Sequence, residues 1–111
     1  MNRLFPCTRG ALFFAGLTLL CTAHASDIDC DPAAPQADRP QAHRLICESA
    51  LFSMGHQRIV ANQRRLLQSG AITEADIATF RNRRDACHSA SCLDAVFRQW
   101  RAFATEARRK P

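Results

Sequence analysis

The stretch SCLDAVFRQWRAFATEA, residues 91–107, decides the fold of this chain. Its apolar residues Leu93, Val96, Phe97, Trp100, Phe103, Ala104 and Ala107 fall at offsets 0, 3, 4, 7, 10, 11 and 14, which places them on one face of an α-helix. Ser91-Cys92-Leu93-Asp94 has the form of a capping box and sets the start of that helix near Ser91. Immediately upstream, Thr73-Glu74-Ala75-Asp76 repeats the pattern and opens a second helix running to about Cys87, with Ile77 and Phe80 on its buried face and Arg81, Arg83 and Arg84 mostly on its wet one. Only His88, Ser89 and Ala90 then remain to join the two, which makes them antiparallel neighbours.

Further upstream, Leu45, Phe52, Ile59 and Leu66 recur every seven residues with Ile46, Val60 and Leu67 beside them, a stripe that drifts only about 20° per step on a helix. Ser69-Gly70 ends this segment, because glycine adopts the left-handed conformation past a helix C-terminus without steric cost. Gly55 is the expected point of any bend or interruption, so the segment reads either as one long helix or as a short one followed by a longer one. No stretch alternates like a strand, and no Asn-Gly or Asp-Gly hairpin signal occurs. The fold class is therefore all-α, a small bundle of three to four helices in which Phe80, Phe97, Trp100 and Phe103 fill the space against the long stripe. Before Gln41, residues 26–40 carry Pro32, Pro35 and Pro40 among Ala, Asp and Gln and read as an extended arm whose plainest role is a flexible, solubilising terminus.

The first 25 residues read as an export signal. Arg3 and Arg9 form a positive region, Ala11–Leu20 an apolar run too short to span a membrane, and Ala23-His24-Ala25 a cleavage site, with cleavage after Ala25. Cys21 invites a lipoprotein reading, but Leu20 stands where a small residue is wanted. The 111-residue chain thus shortens to 86, and its 15 Lys+Arg to 13 against 10 Asp+Glu, so the net charge falls from +5 to +3. A mature protein of this size holds one small domain, without a membrane span, in the periplasm or secreted. Its basic residues are spread among acids over every helix, which argues for a solvated surface and against nucleic acid.

Cys7 and Cys21 leave with the signal, and Cys30, Cys47, Cys87 and Cys92 remain, an even number for an oxidising compartment. They allow three pairings, among which loop closure favours Cys30 with Cys47 and Cys87 with Cys92, contributing about 3 and about 2 kcal/mol on the chain-entropy model. Zinc held by Cys87, His88 and Cys92 is the rival reading, but the Cys-x4-Cys spacing is loose and no second ligand pair lies nearby.

No catalytic constellation stands out. His43, His56 and His88 lie on different segments, and no nucleophile elbow, phosphate-binding glycine loop or Cys-x-x-Cys is present. His56 falls between Phe52 and Ile59 and reads as a core or boundary histidine. Glu74 and Asp76 suit a helix N-terminus, and Arg108, Arg109 and Lys110 a helix C-terminus. Asp94 with Arg98 and Glu106 with Lys110 form i, i+4 pairs. The expectation is a binding protein that is not an enzyme and carries no metal or other cofactor.

One resemblance adds to this reading. A cysteine near the mature N-terminus is followed by Leu45-Ile46-Cys47, then Arg84-Asp85-Ala86-Cys87, then Cys92-Leu93 with the aromatic Phe97 four residues on. This pattern resembles the LprI N-terminal domain family of exported bacterial proteins, named for a mycobacterial lysozyme-inhibiting lipoprotein. The likeness runs from Asp29 to about Phe103 and is carried by Arg84, Asp85, Leu93 and Phe97 with the cysteines, implying a domain over 41–108. Where the family pattern has Gln, Trp and Tyr, this chain has Ile77, Phe80 and Phe97, which keep bulk and give up polar donors. The resemblance implies a disulfide-stapled helical module outside the cytoplasm that inhibits a lysozyme-like muramidase; the partner is then another exported or host protein. Against a cationic enzyme, the acidic patch on offer is the arm, with Asp27, Asp29, Asp31 and Asp38 against Arg39. Competing readings are an envelope interaction or immunity-type module and a periplasmic holdase whose aromatic stripe is uncovered when the bundle opens.

Overall fold

A computed structural model describes residues 26–34 and 38–110; the export signal expected over 1–25, Cys21 included, lies outside them. Four α-helices and no strands are formed among the described residues: α1 (Gln41–Glu48), α2 (Ala50–Ser69), α3 (Glu74–Asp85) and α4 (Ala90–Arg109). The all-helical architecture read from the periodicities is the one observed.

The long N-terminal stripe is broken into a short and a long helix, but the break falls at Ser49 and not at Gly55. Ser49 takes an extended conformation, so it ends α1 and starts α2 in one residue, and its hydroxyl oxygen accepts the Phe52 N–H at 3.2 Å. That bond satisfies one of the unpaired donors of the first turn of α2. Gly55 stays helical within α2, packed beside Phe97, whose ring a Cβ there would meet at 3.4 Å, about van der Waals contact. At the other end Gly70 has φ 80°, its N–H bonds to Leu67, and the Ala71 N–H reaches back to Leu66, a Schellman closure. Thr73 and Asp76 form the expected capping box on α3, with Thr73 N–H donating to Asp76 at 2.8 Å.

The start of α4 differs from the reading of Ser91 as its cap. Ser89 is the N-cap, its hydroxyl accepting from Cys92 N–H at 3.1 Å, and Ser91 lies exposed in the first turn. Asp94, displaced one turn further in, pairs with Arg98 at 3.0 Å. The connection from α3 is accordingly residues 86–89. Phe80 meets Phe97 and Trp100 while Cys87 meets Cys92, so α3 and α4 run antiparallel. Arg108 and Arg109 occupy the last turn of α4, but Lys110 has left the helix, so Glu106 pairs with Arg109 at 3.4 Å and not with Lys110.

Ile46, Ile59, Leu66, Ile77, Phe80, Leu93, Phe97 and Trp100 form the heart of the core. Phe97 sits edge-on to Phe52 and Phe80 edge-on to Trp100, at 5.7 and 5.6 Å between centroids, and the Trp100 indole N–H donates to Asn62 at 3.0 Å. Such ring pairs add about 1 kcal/mol each beyond area burial. Phe103 is the exception to the expected aromatic filling: it packs on Trp100 yet remains 41% exposed at the edge of the α3–α4 crevice. Two disulfides close the fold, Cys30–Cys47 and Cys87–Cys92, the pairing that loop closure favours. Both Cys87 and Cys92 being oxidised, neither offers a thiolate for zinc, and His88 turns its Nδ1 to Gln41.

Candidate functional site

Arg84 organises the polar centre of the molecule. It lies on the stripe of Ile77 and Phe80, three and four residues apart, and so points inward as they do; its side chain is 0% exposed. The expectation that it joins Arg81 and Arg83 on the wet face is therefore corrected. A guanidinium is always charged and can be buried only where acceptors meet its fork. Three segments supply them, and a fourth packs alongside. Nη1 and Nη2 donate to the two oxygens of Asp27 in the arm at 2.9 and 2.7 Å, Nε donates to Asp85 at 2.7 Å, and Nη1 also donates to His56 Nε2 of α2 at 3.1 Å. His43 of α1 closes the ring, its Nε2 lying 2.9 Å from Asp85 and 3.4 Å from Nη2. The short contact to Asp85 makes Nε2 the protonated nitrogen of His43, whereas acceptance from Arg84 makes the Nε2 of His56 the bare one.

The electrostatics follow. Burial opposes ionisation of Asp27, but the paired Arg84 and the nearby Arg81 outweigh it and hold the carboxyl down to about 2. Burial opposes the cation of Arg84 too, and its hydrogen bonds to Asp27 and Asp85 overcome it, raising the group further. For His56, burial and the Arg84 charge act together and push the ring down to about 4, so it is neutral near pH 7. It stacks on Phe80 at 6.4 Å and lies tilted against Phe97 at 6.1 Å, the three rings forming a triangle, and is 3% exposed, the core histidine that its position predicted. The acceptors of this cluster are spent on one another. Its chemistry is that of a clasp that binds the arm to three helices.

The arm is thereby no free terminus. Asp27 is held by Arg84 and Cys30 by Cys47; Asp29 and Asp31 fold the segment locally, each accepting from a backbone N–H two residues on. Arg39 donates to the carbonyl of Asp29. Of the proposed acidic patch, Asp27 is consumed internally, while Asp29, Asp31 and Asp38 remain exposed. Of the residues that carry the family likeness, Arg84 and Asp85 meet in the clasp, Leu93 is fully buried, and Phe97 packs on His56, so these residues build the fold and leave binding to other surface groups.

The residues that motif reading missed are Leu51 and Met54, 83% and 52% exposed on adjacent turns of α2. They stand just beyond the α1–α2 junction, where the Cys30–Cys47 disulfide also fastens Asp29, Asp31 and, through its neighbour Cys47, the exposed Glu48. The exposed acids Asp29, Asp31 and Glu48 lie within one residue of the disulfide cysteines, and Leu51 and Met54 follow Cys47 by four and seven residues in the chain. Among the described residues, no group of three His, Cys, Asp or Glu is placed to hold a metal ion, and no helix is long and apolar enough to cross a membrane.

These features define a small helical module with two disulfides and a buried charged clasp. No protein-family model matches the chain, and no curated protein and no solved structure matches it.

Proposed function

We propose that the chain is an exported binding protein of the LprI-like kind, which inhibits a lysozyme-like muramidase by covering part of its surface. The observation that supports this reading is the junction end: the exposed Leu51 and Met54 beside Asp29, Asp31 and Glu48, held on a frame tied by a disulfide. With the export signal removed, a net charge of +3 gives no long-range steering toward a cationic enzyme, so local acids must meet it, and exposed acids flank both cysteines of the disulfide a few residues from the apolar pair. Preorganisation by the crosslink lowers the ordering cost of binding.

The test is lysis of a peptidoglycan suspension by several lysozymes, followed by turbidity, with the mature protein in large molar excess. Inhibition is expected, and the double variant Leu51→Asp, Met54→Asp loses it while melting at the same temperature. No inhibition of any lysozyme removes the muramidase reading. A holdase is the second reading, favoured by one observation: His56, buried against Arg84, resists protonation until about pH 4, so acid strains the centre of the bundle. Dye binding on acidification together with suppressed aggregation of a client protein supports it; an unchanged dye signal at pH 4 opposes it.

A further inference from the structure

Away from the clasp, and beginning one residue past Met54, α2 and α4 lie side by side and run in the same direction. Phe52 meets Phe97, Asn62 bonds Trp100, and Ser69 and Gly70 share a concavity with Ala107 and Lys110. Two concavities of about 390 and about 550 Å³ follow this seam, and because both are lined by Asn62 and Arg108 they form one groove from Gly55 to Gly70. Along α2 that is about 22 Å.

The groove is lined by Arg58, Arg65, Arg101, Arg108 and Lys110 and by no carboxylate. Contrary to the expectation that acids accompany the basic residues on every helix, α2 contains no Asp or Glu at all, and the two acids of α4, Asp94 and Glu106, are taken up by Arg98 and Arg109. Among the described residues none of the five groove cations has an ion-pair partner.

Their spacing is regular. Arg58 and Arg65 are seven residues apart on one wall, and Arg101 and Arg108 seven apart on the other. Between them Ile59, Asn62 and Leu66 face Trp100, Ala104 and Ala107, alternating in threes and fours. Cations flanking such a seam stand where the e and g positions of a coiled coil select a partner helix by charge. A lone phosphate calls for donors converging on one point, whereas two walls repeating about every 10.5 Å match a long ligand of the same period. The floor is already closed, with Ile59, Leu66, Trp100 and Ala104 all buried, so charge and not apolar area carries the recognition.

We propose that the α2–α4 groove docks an acidic helix of a partner protein that presents Asp or Glu at heptad spacing. This groove adjoins the muramidase surface along α2 but uses different residues, Arg58, Arg65, Arg101 and Arg108 rather than Leu51 and Met54, so each can fail without the other.

The test uses the full mature chain and a synthetic three-heptad helix with Glu at the flanking positions, against a peptide of the same composition with the Glu spacing scrambled. Peptide anisotropy and the fluorescence of Trp100, the one tryptophan of the chain, report binding. The heptad peptide is expected to bind at least about tenfold more tightly than the scrambled one, with affinity falling as salt rises. The variant Arg58→Glu, Arg101→Glu abolishes binding with an unchanged melting temperature, and Arg65→Gln, Arg108→Gln, which removes charge without reversing it, weakens it. Equal binding of the two peptides, retention in the reversed variant, absence of binding, or tighter binding of anionic lipid vesicles or single-stranded DNA overturns the proposal.

Discussion

The aromatic layer and the arginine clasp are built on successive turns of the same helix. Phe80 of α3 belongs to the first and Arg84, one turn on, to the second, and both are buried. Phe80 needs only apolar neighbours within reach, and Phe97 and Trp100 arrive from the adjacent helix α4. Arg84 needs partners of stated chemistry and direction, and its main one, Asp27, lies 57 residues away in the chain. Dispersion and water exclusion are non-directional, so an aromatic layer tolerates change; a buried cation does not. The comparison makes the arm part of the domain, since without Asp27 the centre of the bundle holds an ill-paired charge.

The sharpest way to break that comparison is at Arg84. Arg84→Met leaves Asp27, Asp85 and His56 around an apolar side chain and is expected to cost about 3–5 kcal/mol in urea unfolding. Phe80→Leu, which stays apolar but gives up its ring contacts with Phe97 and Trp100, is expected to cost about 2 kcal/mol. Equal losses would show that the clasp is no more demanding than the core.

A smaller effect is expected from releasing the arm. Replacing Cys30 and Cys47 together by Ser removes a crosslink spanning 17 residues and is worth about 3 kcal/mol, against about 2 kcal/mol for Cys87 with Cys92, whose span is 5. Hydrogen exchange should then speed up at His56 and Arg84 after the first change and stay slow after the second, because only the first loosens the segment that carries Asp27.

The smallest effect is a dependence on pH. His56 is held at about 4 in the folded state against 6.5 in the unfolded chain, so between these values the unfolded state binds the extra proton and stability falls as pH falls. By pH 5 the loss is about 2 kcal/mol relative to pH 7. Asp27 acts lower: the stability it lends is complete above 3.8 and disappears as pH drops through about 2. His56→Gln, which can still accept from Arg84, should flatten the melting temperature between pH 7 and pH 5 and leave the acid limb set by Asp27 in place. A variant with the wild-type slope would assign that slope to another group.

The helices were legible wherever one signal acted alone. The 3.6-residue period of Leu93 to Ala107, the Thr73–Asp76 box and the Gly70 stop each satisfy a local backbone requirement that no distant residue alters. Local signals in competition were misread. Gly55 looked like the breaking point, but a glycine lowers helix propensity by about 1 kcal/mol and the Phe97 ring resting on it favours continuity, whereas Ser49 supplies a cap. Ser89 and Ser91 are both able to cap; Ser89 does so, its hydroxyl accepting from the N–H of Cys92, the residue that closes the disulfide to Cys87. Arg84 shares the apolar stripe of Ile77 and Phe80, and its charge concealed a position that periodicity alone assigns to the interior.

By itself, then, the sequence determined the all-helical class, the start of α3 at its capping box and the end of α2 at Gly70, and a preference among three disulfide pairings, all of which depend on interactions between residues close in the chain. Tertiary structure alone decided that His43, His56, Asp85 and Asp27 converge on one guanidinium, that two rows of arginine line a groove, and that Leu51 and Met54 stand exposed. The reason is physical: a hydrogen-bonded ion pair gains its strength from a geometry that four separate segments must bring together, and nothing in the local chain encodes that meeting.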